Sequence, residues 1–209
     1  MIMITYIEVG MAGVLCMEIG GLADLCMRNI ILRDPDHGLR LDKDMYRMIY
    51  GYSILVGIWL ALCQNHWGKT GQLACGVLAA YLLVASITDW QTCEVYDFLH
   101  IMGALAAVAV FCRQPPTKDV LISLAVYWLL QHFLFSRMYG EADAMAFLVC
   151  ALFESVHGYG LLTYLLHMGT AFLVLGAVQA VKHNINRRGN LKKPVPFLPY
   201  IALTVWVFL

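Results

Sequence analysis

Charge is scarce in this chain. Lys, Arg, Asp and Glu make up 13% of its 209 residues, about half the share usual in soluble domains, so no appended soluble domain is expected. The formal net charge is zero and no basic stretch is interleaved with aromatics, which removes nucleic acid as a partner. The seven cysteines form no C-x-x-C pair. Neither a zinc site nor a disulfide framework follows, and most of them read as small apolar core residues. The seven histidines show no ligand spacing and read as interfacial. No metal or cofactor is implied. The N-terminus lacks both a basic n-region and an A-x-A-like cleavage site, so it reads as a retained first helix. No internal repeat is visible.

What the chain does have is apolar length. Apolar residues reach 61% and the mean hydropathy is +0.70. A helix needs roughly 20 apolar residues to cross the hydrocarbon core, which leaves room for about eight spans. The runs are continuous and do not alternate, which argues against a β-barrel. The expected class is therefore all-α: one polytopic membrane domain over residues 1–209, with N-terminal helices in 1–71 and a core in 72–209. The spans fall near 2–27, 48–64, 72–88, 98–111, 120–135, 144–155, 161–181 and a last one ending at Leu209. A polar segment, 28–47, reads as a loop or a short surface helix. A short turn is expected over 65–71, and Pro194, Pro196 and Pro199 bend the chain into the last span.

Lys and Arg are unevenly divided between alternate connections. Eleven fall in 28–47, 89–97, 136–143 and 182–193, against only Lys69, Arg113 and Lys118 in the others. The positive-inside rule makes the first set cytoplasmic. That is also the side where Asp89 and Asp143 lie.

Ionisable groups at membrane depth are costly, so each is a functional candidate. Asp89 ends the run 72–88. Asp143 follows Arg137-Met138-Tyr139-Gly140-Glu141-Ala142, at the first turn of an apolar run. Two spans separate the aspartates and return the chain to the same side, so the two can meet. Neighbouring carboxylates do not both ionise easily and hold one proton over a range of pH. The neutral member can then polarise a carbonyl while the ionised one takes a proton from water, as in aspartic proteases. The small residues Gly140 and Ala142 allow close backbone approach, and a helix N-terminus favours an ionised Asp143. The simpler role of either aspartate is to cap a helix at the interface. Glu94 and Asp97, in the same loop as Asp89, could attract a cationic segment, and Glu141 and Arg137 could contact it or the lipid headgroups. For Glu94 and Asp97 a solvated turn reads equally well, and for Glu141 and Arg137 interfacial solvation is the plainer reading. Glu18 is deep in the first span and needs a partner or water. Glu154 lies away from the aspartates.

Gly140-Glu141-Ala142-Asp143 resembles the G-x-G-D motif of the type IV prepilin peptidase and preflagellin peptidase family. Ile87-Thr88-Asp89-Trp90, with the polar turn to Asp97, is similar to the family's other aspartate motif. Pro194-Val195-Pro196-Phe197-Leu198-Pro199-Tyr200 is similar to its "PFxP" segment. The resemblance covers roughly 72–209; in the N-terminal part, residues 21–29 are only weakly similar to the end of the bacterial first helix. It implies a membrane aspartic endopeptidase with Asp89 and Asp143 as the catalytic pair. Such an enzyme removes the basic leader of prepilin-like membrane precursors at the cytoplasmic face, without a metal. Three features depart from the pattern: Ala142 replaces the second glycine, no proline stands near Val95-Tyr96, and the cysteine-paired segment associated with N-methylation is absent. Methyltransferase activity is not implied. Two other readings stay open: a small proton- or cation-coupled transporter using Glu18, Asp89 and Asp143, and a catalytically inactive assembly factor.

Overall fold

Backbone polar groups in lipid must be satisfied within their own segment, so long apolar runs become helices. The computed structural model describes residues 6–34, 38–62, 64–185 and 195–209. The expected positions Asp36, His37, Arg187, Arg188, Lys192, Lys193 and Pro194 lie outside these. Nine α-helices occur among the described residues: α1 Tyr6–Arg33, α2 Lys43–Leu62, α3 Gln64–Thr92, α4 Asp97–Phe111, α5 Lys118–Leu130, α6 Ser136–Tyr139, α7 Glu141–Val156, α8 Leu161–Ile185 and α9 Leu198–Thr204. A π-helical turn, Gln131–Phe135, joins α5 to α6, and a 3₁₀ turn, Val205–Val207, extends α9.

The protein is all-helical, and eight of these helices stand where the eight spans are expected. Five stretches are long and apolar enough to cross a membrane: Gly10–Arg33, Lys43–Leu62, Gly71–Thr92, Lys118–Tyr139 and Leu161–Lys182. The apolar helices Asp97–Phe111 and Leu198–Val207 are shorter. The sequence expectations need correction at several boundaries, among them the start of α2, which opens at Lys43 inside the expected polar segment 28–47. The turn expected over 65–71 is helical, because α3 starts at Gln64. Residues 28–33 extend α1 and do not belong to the polar connection. Asp89 does not end its helix but sits about one turn inside it.

α3 is the central pillar. Its sequence alternates bulk with small residues (Ala74, Ala79, Ala80, Ala85), which lets neighbouring backbones come close where lipid offers no hydrophobic drive for association. It is almost wholly buried from Gly71 to Asp89 and packs against α1, α2, α4 and α9. Leu78, Tyr81 and Leu82 meet Leu15 and Ile19 of α1, Leu60 of α2, Leu99 of α4, Phe147 of α7 and Ile201 of α9 in one apolar core. α8 instead exposes Leu162, Leu166 and Leu173, a face suited to lipid.

Two glycines set helix separations. A Cβ on Gly57 of α2 would come 2.6 Å from Cys16 Sγ and 3.0 Å from the Cys16 main-chain nitrogen, so α1 and α2 touch there. A Cβ on Gly103 of α4 would lie 2.8 Å from Val149 Cγ1 and 2.9 Å from the Tyr81 ring. That gap is where α3, α4 and α7 close on one another.

At the other end of the α3–α4 pair, the α1–α2 connection folds over the turn that leaves α3. The Arg40 amide donates to Gln91 Oε1 at 3.2 Å, and the Tyr96 hydroxyl donates to Asp34 Oδ2 at 2.7 Å. Partial burial and the Asp34 carboxylate together push the Tyr96 hydroxyl up to about 12.

Candidate active site

Asp89 is the last buried residue of α3, only 8% exposed. A buried carboxylate needs donors, and it finds them in the proline-bounded segment that enters α9. The Leu198 main-chain amide donates to Asp89 Oδ2 at 3.0 Å, and the Phe197 amide faces the same carboxylate. Pro199 in the first turn of α9 has no N–H to satisfy, as suits that position.

Asp143 is the third residue of α7. The chain reaches it through Gly140, which has φ 121° and ψ 153°, a conformation open in practice only to glycine. Gly140 thus breaks α6 from α7, and its amide still bonds back to Ser136 O at 3.1 Å. The half-buried Asp143 carboxylate folds back beside it, with Oδ2 3.5 Å from where a Gly140 Cβ would stand. No direct hydrogen bond joins Asp143 to Asp89, but Asp143 is close enough to feel the Asp89 charge. The fold therefore brings the two sequence-selected aspartates into one electrostatic neighbourhood, at the N-terminal turns of α7 and α9.

Tyr139 fixes this corner. Its ring packs edge-on against Phe147, Phe172 and Phe197, with centroids 5.3 to 5.9 Å away. Its hydroxyl donates to Gln131 Oε1. Gln131 opens the π-helical turn and is fully buried. One such turn inside an α-helix marks functional sites often enough to be noted. Neither Gln131 nor the Tyr139 role is signalled in the sequence by spacing.

The remaining sequence-selected residues divide. Asp97, Glu141 and Ala142 line a cavity of about 510 Å³ between α4 and α7, with His100, Ile101, Ala104 and Met145. Glu141 and Met145 also border a second cavity of about 190 Å³ toward Trp128, Gln131 and His132. Glu94 stays outside both, exposed in the turn after α3, where its amide bonds to Thr92 Oγ1 at 3.2 Å. Arg137 is exposed on α6. Ala142 is helical, so the second motif position demands no glycine conformation here. Tyr96, in the stretch where a proline is missing, has φ −81°, at the edge of the range proline itself takes.

The interfacial reading of the histidines fails for two of them. His100 and His167 are 4% and 1% exposed. His167 Nδ1 lies 2.6 Å from Glu154 Oε1, so Glu154 has an imidazole partner on α8. His100 Nδ1 lies 2.8 Å from the Tyr81 hydroxyl. His100 is the one ionisable side chain inside the apolar run 98–111, which is the signal by which the sequence could have selected it. Glu18 stands apart from the aspartates. Its Oε2 has no hydrogen-bond partner and would be 2.5 Å from a Cβ on Gly76. Gly76 is thirteen residues from Asp89, about 20 Å along α3 at the α-helical rise.

Compared with models of known families, with characterised proteins and with solved structures, the chain matches none.

Proposed function

We propose that this protein is a membrane aspartic endopeptidase of the prepilin peptidase type, with Asp89 and Asp143 as its catalytic pair. The observation that carries the reading is that two helices separated in sequence by two spans bring these carboxylates within range of each other's charge. One carboxyl is protonated and donates to the scissile carbonyl oxygen. The other is ionised and takes a proton from the water that adds to the carbonyl carbon. The resulting gem-diol collapses, the C–N bond breaks, and the departing amine receives the proton.

The cavity beside Ala142 supports a substrate of mixed character. Asp97 and Glu141 are exposed acids suited to a cationic leader, while Ile101, Ala104 and Met145 offer an apolar wall to the helix that follows it. Together with the Lys and Arg bias, this supports a reading in which prepilin-like precursors are cleaved at the cytoplasmic face of the cell membrane. The test is co-expression of such a precursor with wild type, Asp89→Ala and Asp143→Ala, read as a mobility shift. Processing by wild type alone supports the reading. Processing by either variant at equal membrane insertion sinks it.

A second reading rests on Glu18, whose buried oxygen lacks a partner. A proton- or cation-coupled transporter would use it. Glu18→Gln would then abolish ion flux in proteoliposomes and leave precursor processing unaffected.

A further inference from the structure

Tyr81 is fully buried, and its ring occupies the space left by Gly103, where a Cβ would come within 2.9 Å of it. The ring meets His100 edge-on with centroids 5.7 Å apart, and the hydroxyl reaches His100 Nδ1 at 2.8 Å. Among the described residues that hydroxyl makes no other hydrogen bond, so the arrangement that leaves no O–H unpaired has it donating to Nδ1. A neutral imidazole accepting at Nδ1 carries its proton on Nε2. That Nε2 is buried and has no partner, although His100 belongs to the wall of the cavity between α4 and α7. A buried donor without an acceptor costs about 1–3 kcal/mol, and a ligand oxygen brought to Nε2 from the cavity side would remove that cost.

We propose that His100 is a substrate-binding residue, whose Nε2–H donates a hydrogen bond to a main-chain carbonyl of a peptide lying in the α4–α7 cavity. Tyr81 is its positioning residue, holding the ring and its tautomer. The assignment rests on the peptidase reading for the identity of the ligand, and extends it to the class of group recognised. The cavity wall carries Ala142, the sequence neighbour of Asp143, although neither Asp89 nor Asp143 itself lines the cavity. Asp97 lies near enough for its charge to act on His100, and the acidic Glu141 shares the wall. Neither offers a hydrogen to a carbonyl. The imidazole does.

Binding and cleavage are measured separately on the full chain in nanodiscs, with a synthetic peptide bearing a basic leader and an apolar helix. Binding is followed on the Asp143→Asn background so that the peptide stays intact. His100→Leu should weaken it about tenfold, and Tyr81→Phe, which keeps the ring over Gly103, about threefold, as loss of one buried hydrogen bond implies. His100→Gln, which restores an N–H, should recover part of the loss. On the aspartate-intact chain the same changes should raise KM more than they lower kcat. Equal affinity for His100→Leu and its parent overturns the proposal, as does a Gln variant no better than Leu when both insert normally. Should wild type leave the peptide uncut while binding still depends on His100, the peptidase reading falls and the carbonyl site stands. Should wild type and His100→Leu cut and bind alike, the carbonyl site falls and the peptidase reading stands.

Discussion

Asp89 on α3 accepts a hydrogen bond from the Leu198 amide, 109 residues away in the chain, at 3.0 Å. The candidate acid is thus also the anchor for the segment entering α9. Charge and anchoring are separable by substitution. Asp89→Asn keeps an oxygen for the Leu198 amide, whereas Asp89→Ala leaves that buried N–H without an acceptor and should lose about 1–3 kcal/mol. Unfolding in graded SDS should rank wild type and Asn close together with Ala below. Peptide cleavage should be lost in both.

Gly140 and Ala142 occupy the two small positions of the motif but differ in backbone. Gly140→Ala places a Cβ at φ 121° and should cost about 1–3 kcal/mol, with reduced cleavage as α7 shifts. Ala142→Gly alters a helical residue and should cost no more than about 1 kcal/mol, leaving cleavage intact. Denaturation midpoints and initial rates check both.

Glu154 and His167 form a pair that is nearly inaccessible, with side chains 0% and 2% exposed. Removing one partner strands the other. Glu154→Leu or His167→Leu alone should destabilise by roughly 3–5 kcal/mol, and the double variant by clearly less than their sum. Additive losses in a double-mutant cycle would show that the contact contributes nothing to the packing of α7 on α8.

Cys93 follows the last residue of α3 with φ 56°, the left-handed geometry of a helix C-terminus, where glycine is preferred. Cys93→Gly relieves left-handed strain of roughly 1–2 kcal/mol, offset in part by about 0.4–1 kcal/mol of added unfolded-state entropy, so it should stabilise the fold modestly, seen as a higher unfolding midpoint with unchanged cleavage. A lower midpoint contradicts this.

The helical class and the approximate spans were legible in the sequence, because apolar length and continuity are what lipid selects. Asp89 and Asp143 stood out for the related reason that charge is rare and costly in such helices. Boundaries were less legible. The polar residues 65–71 read as a turn, yet α3 runs through them, and Asp89 lies inside the helix it was expected to end. His100 and Gln131 were missed because their roles come from partners on other helices and not from local spacing. Tyr81 meets His100 where Gly103 leaves its ring room, and Gln131 meets Tyr139 from the first position of a π turn. No window of sequence displays either condition.

The most direct test of the aspartate pair is mass spectrometry of a prepilin-like precursor incubated with purified wild type, Asp89→Asn and Asp143→Asn. The account predicts one cut at the junction of leader and apolar helix by wild type. It predicts a loss of rate of roughly 10²-fold or more in each variant, as expected when a general acid or base is removed. Cleavage by either variant at the wild-type rate, or no cleavage by any of the three, would contradict it.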